Sequence, residues 1–294
     1  MIALWPYQLE VGRAVLDSVT RRRGLTISVE IARQGGKNEL SAILELTLMT
    51  LNMGKGGSII KASPTFKPQV LISMRRLRER LNDFGYAGFY RTEGGYIIGL
   101  GEARCVFLSA EETSNVVGHT AEILMEIDEA QDISQDKYTK EFRPMGSSTN
   151  CTTVLYGTTW DDLTLLEQTK QANLEQQKKD GIRRHFAFDW THVAQCNPAY
   201  ALSVEQERQR LGEEHPLFRT QYRLLTIQGG GRLLSTTQIA LLSGTHPREF
   251  EPDIDAAYIA GLDLAGQEES TDPHNPQRDS TVLTLARREN DAAR

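Results

Sequence analysis

Ile123-Leu124-Met125-Glu126-Ile127-Asp128-Glu129 is the stretch on which the fold turns. A short apolar run that closes on an acidic pair reads as a buried strand delivering two carboxylates to its carboxyl end. Open α/β sheets bind their ligands at that edge. Asp128 is placed to hold Mg²⁺, directly or through water, and Glu129 to orient and deprotonate an attacking water. Glu126, inside the apolar run, calls for a polar partner or a sheet edge. Taken alone, the same residues also fit an acidic strand end facing solvent. The upstream sequence decides against that.

Upstream, Leu25 to Ile31 alternates as a strand does, and Arg33-Gln34-Gly35-Gly36-Lys37 follows as a turn. Asn38–Leu51 then places Leu40, Ile43, Leu44, Leu46 and Leu48 at largely helical spacing. Strand, glycine turn and helix form the layout of a phosphate-binding loop. Backbone N–H groups around Gln34, Gly35 and Gly36 wrap a triphosphate at a helix N-terminus, and Lys37 reaches its β and γ phosphates. The common pattern has a glycine where this chain has Ile31, and Ser or Thr where it has Asn38. Asn38 either offers an amide oxygen to Mg²⁺ or caps the helix. A lysine in a surface turn is the plain alternative for Lys37.

Outward from these motifs, residues 1–25 read as a helix with a basic end. Ser58–Ala62, Tyr96–Leu100, Arg104–Leu108 and Thr153–Gly157 read as strands, and Lys67–Asn82 as a helix. Strands alternating with helices predict an α/β domain of P-loop NTPase type, a mostly parallel sheet flanked by helices, over residues 1–195. Residues 196–252 read as a small helical lid or linker, with a charged helix at Ala201–Gly212, an element at Phe218–Ile227 and a joint at Gly229-Gly230-Gly231. Residues 253–294 carry strands at Ala257–Leu264 and Thr281–Ala286. Two strands bury no core of their own, so a second domain is expected to begin here and continue past Arg294.

Composition sets the outer limits. Hydrophobic residues at 39% and charged residues at 24% suit a globular chain with a core. No run approaches the roughly 18 apolar residues of a membrane span, and Met1–Pro6 carries no secretion signal. Cys105, Cys151 and Cys196 form no CxxC pair and fit a reducing cytosol. His185, His192 and His215 lack zinc-ligand spacing. With a net charge of −6, any nucleic-acid contact must come from local basic patches. Arg75, Arg76, Arg78 and Arg80 make one, read first as a solvated helix face beside Glu79 and Asp83. Lys178, Lys179, Arg183 and Arg184 make another.

With these motifs in order, the chain resembles the large terminase family of tailed phages. Trp5-Pro6-Tyr7-Gln8 is similar to its adenine-recognising segment, and Ala32–Lys37 to its Walker A variant, which carries an arginine early in the loop, here Arg33. Ala62-Ser63-Pro64-Thr65-Phe66 resembles its Pro-Thr-aromatic segment, Ile127–Gln131 its Walker B with the catalytic glutamate, and Leu155–Thr159 its coupling motif. The resemblance implies an ATP- and Mg²⁺-dependent motor. Gln8, Gln34, Gly35, Gly36, Lys37 and Asn38 would bind nucleotide, and Glu129, Lys37 and Arg33 would catalyse. Asp128 would hold the metal, and Thr158 and Thr159 would couple hydrolysis to motion. It further implies double-stranded DNA, a portal protein and a small terminase subunit as partners, a ring of copies on the capsid, and the cytoplasm of an infected bacterium. The isolated chain is expected to be a monomer.

Some members carry an arginine before the glycine that precedes Walker B. The matching residue is Val117, so no such finger is assigned. Ile259-Ala260-Gly261-Leu262-Asp263 resembles the first strand of the family's RNase H-like nuclease, and Arg278–Val282 the second. Asp263 would then be the first of several Mg²⁺- or Mn²⁺-binding carboxylates, the others lying beyond Arg294, so this stretch alone is not expected to cut DNA. A helicase-like ATPase is the alternative, but it needs a second motor domain. A scaffold with a decayed site is opposed by Lys37, Asp128 and Glu129 together.

Overall fold

The computed structural model describes residues 4–227, 257–263, 282–289 and 292–293. The chain divides into two compact units, Met1–Gln238 and Ile239–Arg294.

The first unit is built on an eight-stranded sheet in the order β3-β4-β5-β2-β6-β7-β1-β8. Its strands are β1 (Thr26–Ile31), β2 (Gly57–Ser63), β3 (Tyr90–Glu93), β4 (Ile97–Leu100), β5 (Ala103–Ser109), β6 (Leu124–Ile127), β7 (Thr152–Gly157) and β8 (His185–Phe188). From β5 to β8 every pairing is parallel, and the β3–β4 hairpin adds an antiparallel edge. The central strands are buried end to end, as a sheet covered on both faces requires. Neighbouring residues face opposite cores: Ile59, Leu124 and Val154 join one, while Ile60, Met125 and Leu155 join the other.

The helices covering these faces are α1 (Pro6–Thr20), α2 (Lys37–Leu51), α3 (Leu71–Asp83), α4 (Gln135–Lys137), α5 (Leu165–Asp180), α6 (Trp190–Cys196), α7 (Pro198–Leu211) and α8 (Pro216–Gln221). α3 starts later than its apolar spacing predicts. Lys67 is extended (φ −114°, ψ 123°) because it precedes Pro68, so the regular helix begins at Leu71. α1 likewise covers only Pro6–Thr20 of the expected 1–25. The described part of the expected lid, residues 196–227, contributes Tyr200 and Val204 of α7 and Phe218 of α8 to the same core as α1 and α2.

In the second unit, β9 (Ala257–Asp263), β10 (Val282–Glu289) and β11 (Ala292–Ala293) form an antiparallel sheet in the order β11-β10-β9. Asp263 ends β9; its side chain, Gly229–Gly231 and Arg278–Thr281 lie outside the described residues. No described helix is long and apolar enough to cross a membrane.

Candidate active site

Strand order decides what meets at the carboxyl edge of the sheet. β7 lies between β1 and β6, so the loops leaving all three strands converge there. They line a cleft of about 630 Å³ together with residues from α3 and α8.

The loop after β1 supplies Arg33 through Asn38. Gln34 (φ 59°) and Gly36 (φ 84°) both adopt left-handed backbone, which curls the loop ahead of α2. At Gly36 a side chain is excluded twice over, because a Cβ would lie 2.4 Å from Nε2 of Gln8. Gln8 does not reach the open cleft. It is 3% exposed, its Nε2 donates to the Gly36 carbonyl (2.9 Å), and its Oε1 accepts from the Trp5 amide (2.8 Å). The Tyr7 hydroxyl donates to the Gly35 carbonyl (2.7 Å), and that of Tyr200 to the Arg33 carbonyl (2.9 Å). The guanidinium of Arg33 donates to Oε1 of Gln221 on α8 (2.7 Å). The loop is thus braced from α1, α7 and α8. The N-cap of α2 is Gly36, so Asn38 does not cap the helix and instead lines the cleft.

Lys37 and Glu129 meet across the cleft, whereas Asp128 does not line it. The ammonium of Lys37, 9% exposed, lies 3.0 Å and 3.1 Å from the two carboxylate oxygens of Glu129. Glu129 has left-handed backbone (φ 46°) and receives a second hydrogen bond from Nε2 of Gln131 (2.7 Å). Burial disfavours its charge, but Lys37 and Gln131 outweigh burial and hold the carboxyl below its ordinary value. Glu129 is therefore a carboxylate at neutral pH, as a base must be. Gln131 also accepts from the Thr158 amide (3.3 Å), which ties the end of β6 to the end of β7. Gly157 permits this approach, since a Cβ there would sit 2.1 Å from Oε1 of Gln131. Thr158 lines the cleft, whereas Thr159 is buried behind it beside Glu30.

Asp128 is 4% exposed, and burial pushes its carboxyl up despite Lys61 nearby. Near it lies a buried polar group of Ser41, Glu45, Lys61 and Glu126. Glu126 finds its partner in the Ser41 hydroxyl, which donates to it (2.9 Å), and Lys61 pairs with Glu45 (3.2 Å) and also reaches Ser41. Burial pushes the Glu45 carboxyl up to about 8. The donor set suits Mg²⁺ that arrives with phosphates: the strand-end carboxylate of Asp128, next to Glu129, and an amide oxygen at Asn38 in the cleft. No cluster of His, Cys, Asp and Glu among the described residues would hold a metal by itself.

Other residues singled out in the sequence fall elsewhere. Val117 is 72% exposed. Arg183 pairs with Glu10 and covers the Phe186 ring, and Arg184 pairs with Asp180 (2.6 Å), so half of that basic run is engaged within the fold. Cys105 is buried in the core. The cleft also takes in Gln221, Glu39 and Gln131, which no motif marks as site residues. Only Gln131 carried a signal, two residues after the acidic pair.

No protein-family model matches the sequence, and no curated protein does. Solved structures do. The large terminase of bacteriophage HK97 superposes with a TM-score of 0.66 at 19% identity, over 99% of this chain and 61% of that one. This chain therefore spans about three fifths of that protein. The ATPase domain of a Thermus phage large terminase gives 0.59 at 16% identity, over 76% of this chain and 95% of the domain. A large terminase of a thermophilic bacteriophage, solved in complex with ADP, gives 0.57 at 12% identity, over 99% of this chain and 66% of that one. The fold of this chain is the one that phage large terminases share.

Proposed function

We propose that the cleft binds ATP with Mg²⁺ and hydrolyses it, and that the chain is the motor of a DNA-packaging terminase. One observation carries the enzymatic reading: Lys37, Glu129, Gln131 and Thr158 form a continuous hydrogen-bonded chain across the ends of three strands. A triphosphate entering the loop would draw Lys37 from Glu129 to its phosphates, leaving the carboxylate held by Gln131 to take a proton from water. Asp128 and Asn38 would hold Mg²⁺, which supplies charge neutralisation for the phosphates. Thr158, through Gln131, would register the change at Glu129.

The motor reading rests on the shared fold and on the second unit. β9 pairs with β10 antiparallel, whereas a helicase-like second motor would open on a parallel sheet. Asp263 at the end of β9 fits the first carboxylate of a nuclease. Residues 196–252 then serve as lid and linker, with double-stranded DNA, a portal, a small terminase subunit and further copies of the chain as partners.

The decisive test is Glu129→Gln. Steady-state ATP hydrolysis should fall by about 10²- to 10⁴-fold while ATP binding persists, because only the base is removed. Normal turnover in that variant would remove Glu129 from its role.

A further inference from the structure

The cleft has a cation that the phosphate-binding loop does not supply. Of the arginines on α3, Arg75 is exposed and Arg78 half-buried, and neither lines the cleft. Arg80 is buried and fixed, bridging Glu39 (3.5 Å) and Asp83 (2.9 Å). Arg76 alone among them lines the nucleotide cleft. Its guanidinium lies 3.1 Å from Glu39, in the first turn of α2, two residues beyond Lys37.

This pairing is more than a surface ion pair needs. Arg80, shared with Asp83 (2.9 Å) and Glu79 (3.8 Å), also lies 3.5 Å from Glu39, so Glu39 would keep one cation if Arg76 left it. Arg76 is also the less buried of the two, with its side chain 39% exposed against 8% for Arg80. An arginine held lightly at the mouth of a phosphate site can exchange a carboxylate for a phosphate, both of which its planar fork fits. Of the other cations of the cleft, Arg33 is hydrogen-bonded to Gln221, and Lys37 is the cation of the phosphate-binding loop itself.

Building on the ATPase reading above, we propose that Arg76 is a catalytic arginine that the chain supplies to its own nucleotide site. When ATP binds, its guanidinium leaves Glu39 for the terminal phosphate. In the reaction the oxygen of water bonds to the terminal phosphorus as the bond to the bridging oxygen breaks. That oxygen keeps the electron pair and leaves on ADP, and the proton of the water passes to Glu129. Arg76 neither gains nor loses a proton; it offsets charge spreading over the terminal oxygens.

The test uses the full 294-residue chain, with Arg76→Ala, Arg76→Lys and, as a control on the same helix, Arg75→Ala. Arg76→Ala should lower kcat by at least about 10²-fold and abolish the extra tightness of ADP with aluminium fluoride, a mimic of the transferring phosphoryl group. Affinity for ADP alone should stay within about threefold of the unsubstituted chain, since ADP lacks the terminal phosphate that Arg76 contacts. Arg76→Lys keeps the charge without the fork, so it should recover part of kcat with an unchanged melting temperature. Arg75→Ala should behave as the unsubstituted chain. Activity per chain should not change on dilution. The proposal is overturned if Arg76→Ala and Arg76→Lys keep full kcat and bind the mimic normally, or if only KM rises. A chain that binds no ADP and hydrolyses no ATP would overturn the ATPase reading itself.

Discussion

Lys37 answers to Glu129 on one side and faces the cleft on the other, and its removal should be felt by both ligand and base. Lys37→Ala takes away the main partner that keeps the Glu129 carboxyl low, so burial then pushes that carboxyl up. Nucleotide binding and hydrolysis should fall together, and what activity remains should shift its acid limb to higher pH. Calorimetry of ATP binding checks the first part; unchanged affinity would sink the phosphate-loop assignment. Asn38 shows what one substitution in a motif does and does not decide. The sequence left it between metal contact and helix cap, and the backbone of Gly36 took the cap.

Among the elements, the loop between β1 and α2 depends on α1. Gly36→Ala should destabilise the fold by about 1–2 kcal/mol, from a left-handed φ that alanine resists and from contact with Gln8. Removing the contact with Gln8→Ala in the same chain should cost less than the two single changes added together. Thermal unfolding of the singles and the double measures this, and strict additivity would show that Gln8 does not press on the loop. The elements legible in the sequence were those that bury an apolar pattern: β1, α2, β2, β6 and β7. α5 escaped because its buried positions, Leu165, Leu166, Glu167 and Asn173, include polar residues that mask the helical stripe. β8 escaped because His-Phe-Ala-Phe is too short to show a period. For the site, residues adjacent in sequence to the motifs could be read. Arg76 and Gln221 could not, since only the packing of α3 and α8 brings them to the cleft.

Across the whole first unit, charge is buried in a second place, beneath β1 and α5. Lys170 lies 3.3 Å from Glu30 and 3.1 Å from Glu167, and His185 shares this pocket, its Nδ1 2.9 Å from the Ser28 hydroxyl. Burial, helped by Lys170 and Arg183 and opposed by Glu167, pushes the His185 imidazole down to about 4 from an ordinary 6.5. The unfolded chain therefore takes up this proton first as pH falls. The stability tied to it is full above about pH 6.5 and is lost as pH drops towards 4, at most about 3 kcal/mol. Glu30, whose carboxyl burial raises, acts in the opposite sense, so the comparison must be with a variant. His185→Gln should flatten the melting temperature across that window; an equally steep decline would clear His185 of the effect.

The same region holds the last residues described in the first unit, Thr226 and Ile227. The Ile227 amide donates to the Trp160 carbonyl (2.9 Å), and the Thr226 hydroxyl to Glu167 (2.8 Å). Trp160 follows Thr158 and Thr159 directly, and Thr158 bonds Gln131, which holds Glu129. Considered as a mechanical part, this is a short tether. Tension applied to the backbone beyond Ile227 would run along it to Glu129, the base of the proposed reaction, while the loop between β1 and α2, braced separately by α1, α7 and α8, would stay still. A load on the chain would thus change how fast the site turns over before it changed how tightly the site holds its nucleotide.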